Sequence, residues 1–275
     1  MSESGLRQAQ DKMRAAGVGQ AAIDVFSHYY GELEGGATGL IGEDTIAPLE
    51  DPASLADAQV SAEQGAAALD QTVMIKLNGG LGTSMGMDRA KSLLTVRDGK
   101  SFLDLVVDQV RAARTATGAR LPLVFMNSFR TRDDTLEALS AYEDLVVDGL
   151  PLDFLQNSEP KLRADDLTPV EWPADPGMEW CPPGHGDIYT ALLASGMLDR
   201  LLGQGFRYAS VSNSDNLGAA PDARIAGWFA ASGAPYAAEL CRRTVNDRKG
   251  GHLAIRRSDG QLILRDTAQT PDEEM

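Results

Sequence analysis

The sequence predicts an α/β protein preceded by a helical N-terminal segment. Three observations carry that prediction. Apolar residues keep helical spacing through the first seventy or so positions. From Thr72 the pattern changes to short β-rich runs alternating with amphipathic helices. A glycine-rich loop follows directly on the first of those runs.

In the N-terminal segment, Leu6, Ala9 and Met13, and then Ile23, Phe26, Tyr30 and Leu33, recur three or four residues apart. That is the spacing of one helix face, and it predicts a helical layer over residues 1–70. Gly35 and Gly36 are expected to end the second helix, and Ala47 to Pro52 reads as an irregular connector. Strands are predicted at Val73 to Leu77, Leu123 to Met126 and Tyr208 to Ser212, and a further β-like run at Ser92 to Val96. A helix is expected to start at Ser101, capped with the help of Asp104, and to turn Phe102, Leu105, Val106 and Val110 inward. Another is expected from about Ile188 to Leu202. Near the end, Asp259-Gly260 between two apolar runs predicts a two-residue type I′ hairpin.

Composition narrows the function. With 275 residues and 43% hydrophobic content, the chain can bury one large core or two modest ones. A formal net charge of −15 disfavours a nucleic-acid surface, which needs an excess of Lys and Arg. A small anionic ligand remains compatible, because backbone amides and one lysine override the global sign locally. The two cysteines, Cys181 and Cys241, share no CxxC spacing and fit a reducing cytosol. No apolar run approaches the ~20 residues that span a bilayer, and the polar start lacks a signal-peptide pattern. A cytoplasmic protein without a membrane partner is expected.

The stretch Lys76-Leu77-Asn78-Gly79-Gly80-Leu81-Gly82-Thr83-Ser84-Met85-Gly86 holds four glycines in eight residues. Glycine lets backbone N–H groups approach phosphate oxygens closely, and Lys91 supplies a mobile charge nearby. A flexible surface loop is the plain alternative. A P-loop is excluded, since no glycine here precedes Lys-Ser or Lys-Thr in the required frame. A Rossmann dinucleotide loop is disfavoured by the spacing Gly80-x-Gly82-x-x-x-Gly86 and by the short distance to the run at Ser92. From the residues alone, Asp215 is either a turn aspartate or a strand-end metal ligand, Gln156 a solvated or a base-reading amide, His185 a local hydrogen-bonding residue or a ligand contact. Lys76 reads as structural, because it falls within the strand pattern.

The glycine string followed by Ala90-Lys91-Ser92 resembles the nucleotide loop of eukaryotic-type UDP-glucose pyrophosphorylases. Further segments match that family in order: Phe125-Met126-Asn127-Ser128-Phe129 with Asp133-Asp134-Thr135, Gln156 with Pro160-Lys161, Trp180 to Asp187, Ser212 to Gly218, and Lys249-Gly250-Gly251. Arg89-Ala90 stands where the family has Gly-Pro, and Cys181 where an aromatic is commoner.

The resemblance implies a Rossmann-related, glycosyltransferase-A-like domain with a mixed central sheet over residues 71–275. It also implies a C-terminal β-helix domain absent from this sequence, so the chain is expected to be part of a longer one. The implied reaction joins UTP to glucose 1-phosphate with Mg2+, releasing pyrophosphate. Implied nucleotide contacts are Leu77, Asn78, Gly79, Gly80, Gly82, Lys91, Gln156, Gly184, Asn213, Ser214 and Asp215. Lys91 and Asp215 are the implied catalytic pair, with Asp215 also the metal ligand. His185, Gly250 and Gly251 would face the sugar phosphate. Two alternatives stay open: a UDP-N-acetylhexosamine or broad-specificity UDP-sugar pyrophosphorylase, which has Arg where this chain has Ser84, and a nucleotide-binding fragment without turnover.

Overall fold

The computed structural model describes residues 2–81, 86, 89–245 and 250–274. In chain order the helices and strands are α1 (Ser2–Ala15), α2 (Gln20–Glu34), β1 (Ile46–Pro48), α3 (Ala62–Asp70), β2 (Thr72–Asn78), β3 (Thr95–Arg97), β4 (Lys100–Ser101), α4 (Phe102–Thr117), β5 (Leu123–Asn127) and α5 (Arg132–Leu139). They continue with β6 (Asp153–Leu155), β7 (Glu159–Pro160), β8 (Trp180–Cys181), α6 (Ile188–Ala194), α7 (Met197–Gly203), β9 (Tyr208–Asn213), α8 (Ala223–Ser232), β10 (His252–Arg256) and β11 (Leu262–Arg265). Parallel and antiparallel pairing both occur, as expected for this α/β class.

The chain forms two compact units, Met1–Tyr30 with Gln59–Gly233, and Gly31–Ala58 with Ala234–Met275. They do not follow a division at residue 70. The first unit is built on a parallel sheet in the order β6-β5-β2-β9. Its two inner strands, β2 and β5, are largely apolar and buried, because helices cover both faces of a parallel sheet, while the edge strand β9 is only partly buried. On one face Met74, Leu123 and Phe125 pack with Leu103, Val106, Val107 and Val110 of α4. On the other, Val73, Ile75, Val124 and Met126 pack with Ile188, Met197 and Leu201.

Ser101 and Asp104 form the expected capping box at the start of α4. The buried stripe is Leu103, Val106, Val107 and Val110, so Phe102 and Leu105 lie at its margin rather than inside it. The helix expected over 188–202 is broken in two at Gly196, whose φ of +70° ends the first turn pattern and restarts it. The β-like run at Ser92 forms no strand of the central sheet. Its end joins Lys100–Ser101 in a two-stranded ribbon, and α4 provides the crossover from β2 to its parallel neighbour β5. The crossover-length objection to a dinucleotide loop therefore falls, while the glycine-spacing objection stands.

Helices α1 and α2 close their own cluster of Ala9, Met13, Ile23, Phe26 and Tyr30 against Leu162, Leu167 and Trp180. The Tyr30 hydroxyl donates to the Leu167 carbonyl at 3.0 Å. Gly65 and Gly227 let α3 and α8 touch backbone to backbone, since a Cβ on Gly65 would lie 2.8 Å from the Ala223 carbonyl oxygen.

The second unit is the antiparallel sheet β1-β10-β11. Ile46–Pro48, whose last two residues were read from sequence as the start of a connector, is an edge strand, a position that tolerates proline because one side of the strand donates no hydrogen bonds. The hairpin is longer than expected. Residues 257–260 form its loop, Gly260 N–H donates to the Arg256 carbonyl at 2.8 Å, and Gly260 alone has a positive φ. The Asp259 carboxylate instead accepts from the Arg256 guanidinium and the Gln261 N–H, which holds the wider turn. Arg265 is buried and paired with Glu43 and Glu274.

Candidate active site

All four strands of the central sheet are parallel, so their carboxyl ends share one edge. The chain runs from β2 outward to β5 and β6, then returns to the opposite side of β2 as β9. Strand order reverses at β2, and open α/β sheets bind ligands at such a switch point. That edge carries Gly79 and Gly80 after β2, Asn127 and Ser128 at β5, Gln156 and Asn157 after β6, and Asn213, Ser214 and Asp215 at β9.

The base of the glycine loop is zipped shut. Leu81 and Ala90 form an antiparallel bridge, and Lys91 N–H donates to the Gly80 carbonyl at 3.1 Å. This puts Lys91 beside the glycines although eleven positions separate it from Gly80 in sequence. Its ammonium reaches across to Asp215, with Nζ 2.6 Å from Oδ2. Both side chains keep solvent access, 41% and 28% respectively. The structure thus unites the two residues expected to carry the chemistry. Gly82, with Thr83 to Met85, lies outside the described residues.

Beneath the edge runs a buried polar network that sequence reasoning missed. Asn78 Nδ2 donates to Asn127 Oδ1 at 2.8 Å and to Thr135 Oγ1 at 2.9 Å, while its Oδ1 accepts from Ser214 Oγ at 2.8 Å. Thr131 Oγ1 donates to the Asn78 carbonyl, and Ser128 Oγ to that of Gly79. Asn127 continues to Asp153, which Arg132 holds at 2.8 Å. The Asn78 amide is fully used in bracing strand ends, so any contact from Asn78 to a ligand falls to its backbone. Leu77 is likewise engaged, its carbonyl accepting the Ser214 N–H at 3.0 Å.

Gln156 is 8% exposed, yet among the described residues its Nε2 finds no hydrogen-bond partner. A buried amide donor left unpaired is costly, which points to a missing acceptor. Gly79 makes room for it. A Cβ on Gly79 would lie 2.5 Å from Gln156 Nε2. Gly79→Ala is therefore expected to displace the Gln156 amide while barely moving the melting temperature, because the clash is with the tip of a flexible side chain. Calorimetry should show roughly tenfold weaker UTP binding, the size of one misplaced hydrogen bond; unchanged affinity would separate Gln156 from the ligand.

Asp187 joins the Gln156 loop to the Gly184 loop. Its carboxylate accepts from Asn157 N at 2.6 Å and Asn157 Nδ2 at 2.7 Å. Burial nevertheless pushes the Asp187 carboxyl above its ordinary range. Gly184 has φ +103°, a conformation that requires glycine, and the exposed His185 opens the short turn ending at Asp187.

Lys76 is fully buried in the centre of β2, with Nζ 2.8 Å from Ser212 Oγ and 2.9 Å from the Ala219 carbonyl oxygen. Burial lowers its pKa from 10.5 to about 8. The unfolded chain therefore holds more protons than the folded one between those values, and stability rises with pH across that window. Denaturant melts of wild type and Lys76→Met are expected to diverge in favour of wild type by up to about 3 kcal/mol from pH 7.5 to 10.5. A constant difference would mean that Lys76 titrates as an ordinary lysine.

Gly250 and Gly251 belong to the second unit, where backbone geometry demands both. Gly250 has φ +125°, and a Cβ on Gly251 would lie 2.9 Å from Leu264 Cδ1 and 3.0 Å from the Arg265 carbonyl oxygen. Lys249 lies outside the described residues.

An open parallel sheet, with a glycine turn after its first strand and a lysine–aspartate pair at its carboxyl edge, defines a Rossmann-related α/β protein. The chain belongs to the UTP--glucose-1-phosphate uridylyltransferase family, whose model matches residues 23–275. The enzyme of that name from Solanum tuberosum is 41% identical over 232 residues, which are 84% of this chain and 46% of the relative. The Saccharomyces cerevisiae enzyme is 41% identical over 207 residues, 74% of this chain and 40% of the relative. Among solved structures, Trypanosoma brucei UDP-glucose phosphorylase superposes with a TM-score of 0.89 at 40% identity, covering 98% of this chain and 58% of that one. A Leishmania major UDP-glucose pyrophosphorylase mutant in complex with UDP-glucose gives 0.90 at 40% identity, covering 99% and 59%. The chain thus spans about half the length of the curated relatives it matches.

Proposed function

We propose that the protein transfers a uridylyl group from UTP to glucose 1-phosphate, giving UDP-glucose and pyrophosphate. The observation that carries this reading is the meeting of Lys91 and Asp215 beside Gly79 and Gly80 at the switch point of the sheet. Family membership and the Leishmania major relative in complex with UDP-glucose support the choice of substrates.

The attacking sugar phosphate is already an anion, so no side chain has to remove a proton. Catalysis then reduces to alignment and charge stabilisation. The amides of Asn78, Gly79, Gly80 and Gly82 would cradle the triphosphate, and Lys91 would leave Asp215 to pair with it. Gln156 would use its free Nε2–H and its carbonyl oxygen on uracil, whose edge offers both acceptors and a donor. Gly184 would admit the base, and His185 and Asn213 would approach the sugar and its phosphate. Gly250 and Gly251 are proposed sugar-phosphate contacts on the resemblance alone.

Among the described residues no three His, Cys, Asp or Glu side chains form a metal cluster. The single carboxylate of Asp215 at this edge fits Mg2+ arriving with a nucleotide, since that ion takes one or two carboxylates plus phosphates and keeps its waters. Asp215 would hold it, and the ion would offset negative charge on the phosphates.

The proposed compartment is the cytoplasm, consistent with Cys181 and Cys241 as free thiols. Among the described residues, no helix is long and apolar enough to cross a membrane. Pyrophosphate release from UTP, measured with a panel of sugar 1-phosphates, tests the assignment. Glucose 1-phosphate is expected to give the highest kcat/KM; a preference for an N-acetylhexosamine 1-phosphate would move the protein to the related specificity, and binding without release would make it a nucleotide-binding module.

A further inference from the structure

We propose that Lys76 is a positioning residue that holds Asp215 in place from inside the sheet, by clamping both ends of the loop that carries it. The inference rests on the reading of Asp215 as the metal ligand and extends it to a residue that touches no substrate.

The geometry is specific. One ammonium binds the side chain of Ser212, the penultimate residue of β9, and the backbone carbonyl of Ala219, where the chain leaves the loop. Everything between them is the segment Asn213 to Gly218. Among the described residues its other anchors are hydrogen bonds from Ser214 to Leu77 and Asn78, the Leu217 carbonyl accepting from Gln109 Nε2 of α4 at 2.9 Å, and the Leu217 side chain packed against the core beside α4, and none of these holds Asp215 itself. Among the described residues, the Asp215 side chain hydrogen-bonds to Lys91, a residue the nucleotide is proposed to draw away. Once that happens, the loop has to stay in place by its own anchors.

Stability does not explain Lys76. The neighbouring positions of β2 are Val73, Met74, Ile75 and Leu77, and an apolar residue at 76 would complete that run. A buried cation whose polar contacts are a hydroxyl and a carbonyl oxygen is dearer than methionine, because among the described residues no carboxylate offsets its desolvation. A lysine offers what methionine cannot, namely several donors on one atom that can hold two separate acceptors at once.

The test separates positioning from bulk stability. Mn2+ binding is followed by electron paramagnetic resonance in the presence of UTP, and UTP binding is followed separately by calorimetry in EDTA. Wild type, Lys76→Met, Ser212→Ala and Asp215→Asn are compared after their folding is confirmed by circular dichroism. Lys76→Met is expected to weaken Mn2+ in the UTP complex tenfold or more while changing metal-free UTP affinity by less than twofold. Ser212→Ala, which keeps the lysine and removes one of its two anchors, should lose about threefold in Mn2+ affinity only, and it decides the matter if Lys76→Met does not fold. Mn2+ affinity within twofold of wild type in the folded variants, or equal losses of metal and metal-free nucleotide, would overturn the positioning role. If Asp215→Asn keeps the wild-type metal response, the metal reading fails at its root, a result recognisably different from a failure confined to Lys76.

Discussion

Asp215→Asn is expected to slow UDP-glucose formation by about a hundred- to a thousand-fold, the usual consequence of removing one group that stabilises charge in a transition state. Asparagine keeps the shape of the side chain and loses the hard anionic oxygen that Mg2+ prefers. The fold should tolerate the change, because the Lys91–Asp215 pair is partly solvent-exposed and such pairs contribute about 0–1 kcal/mol. A magnesium titration of UTP binding discriminates the possibilities. Loss of the metal response with intact metal-free UTP binding supports the assignment. A wild-type metal response would leave Asp215 as nothing more than the ion-pair partner of Lys91.

Lys91→Ala should have an effect of similar size on rate and a different signature in binding. Its ammonium is proposed to move from Asp215 to the triphosphate, and a charged hydrogen bond of that kind is worth roughly 1.5–3 kcal/mol, or about ten- to a hundred-and-fifty-fold in UTP affinity. Without nucleotide the sign reverses. Removing the cation that sits 2.6 Å from Asp215 Oδ2 leaves the carboxylate free, so a divalent cation alone should bind as well as or better than in wild type. Calorimetry with UTP and with Mn2+ separately checks both halves. Equal UTP affinity in mutant and wild type would remove Lys91 from the nucleotide site.

The parts legible in the sequence are those governed by local rules. Strands β2 and β5 were readable to within a residue or two because a strand buried on both faces is a largely apolar run, and the start of α4 because Ser101 and Asp104 form a local capping pair. The pairing of Ile46–Pro48 with His252–Arg256 was not, since three residues ending in proline carry no strand signal without their distant partner. Asp259-Gly260 misled for a related reason: the two-residue turn it suggests lost to Asp259 bonds with Arg256 and Gln261.

The site shows the same division. Lys91 and Asp215 could be nominated from their motifs, but their 2.6 Å contact depends on the Leu81–Ala90 bridge and on β9 returning beside β2. The network through Asn78, Asn127, Thr131 and Thr135 could not be found by spacing at all. Its members come from the ends of β2 and β5 and from the first turns of α5, and none of them signals the others by its spacing. Lys76 read as part of a strand, and it lies buried within β2. What it holds became visible only with Ser212 and Ala219 brought to either side of it.

Where a nucleotide lies is measured directly by a crystal structure of the protein with UTP and magnesium. The triphosphate is expected against the backbone of Gly79 and Gly80 with Lys91 swung onto it, the metal on Asp215, and uracil within hydrogen-bond reach of Gln156 Nε2. A nucleotide bound elsewhere, or bound at this edge with the Lys91–Asp215 pair intact and no metal on Asp215, would contradict it.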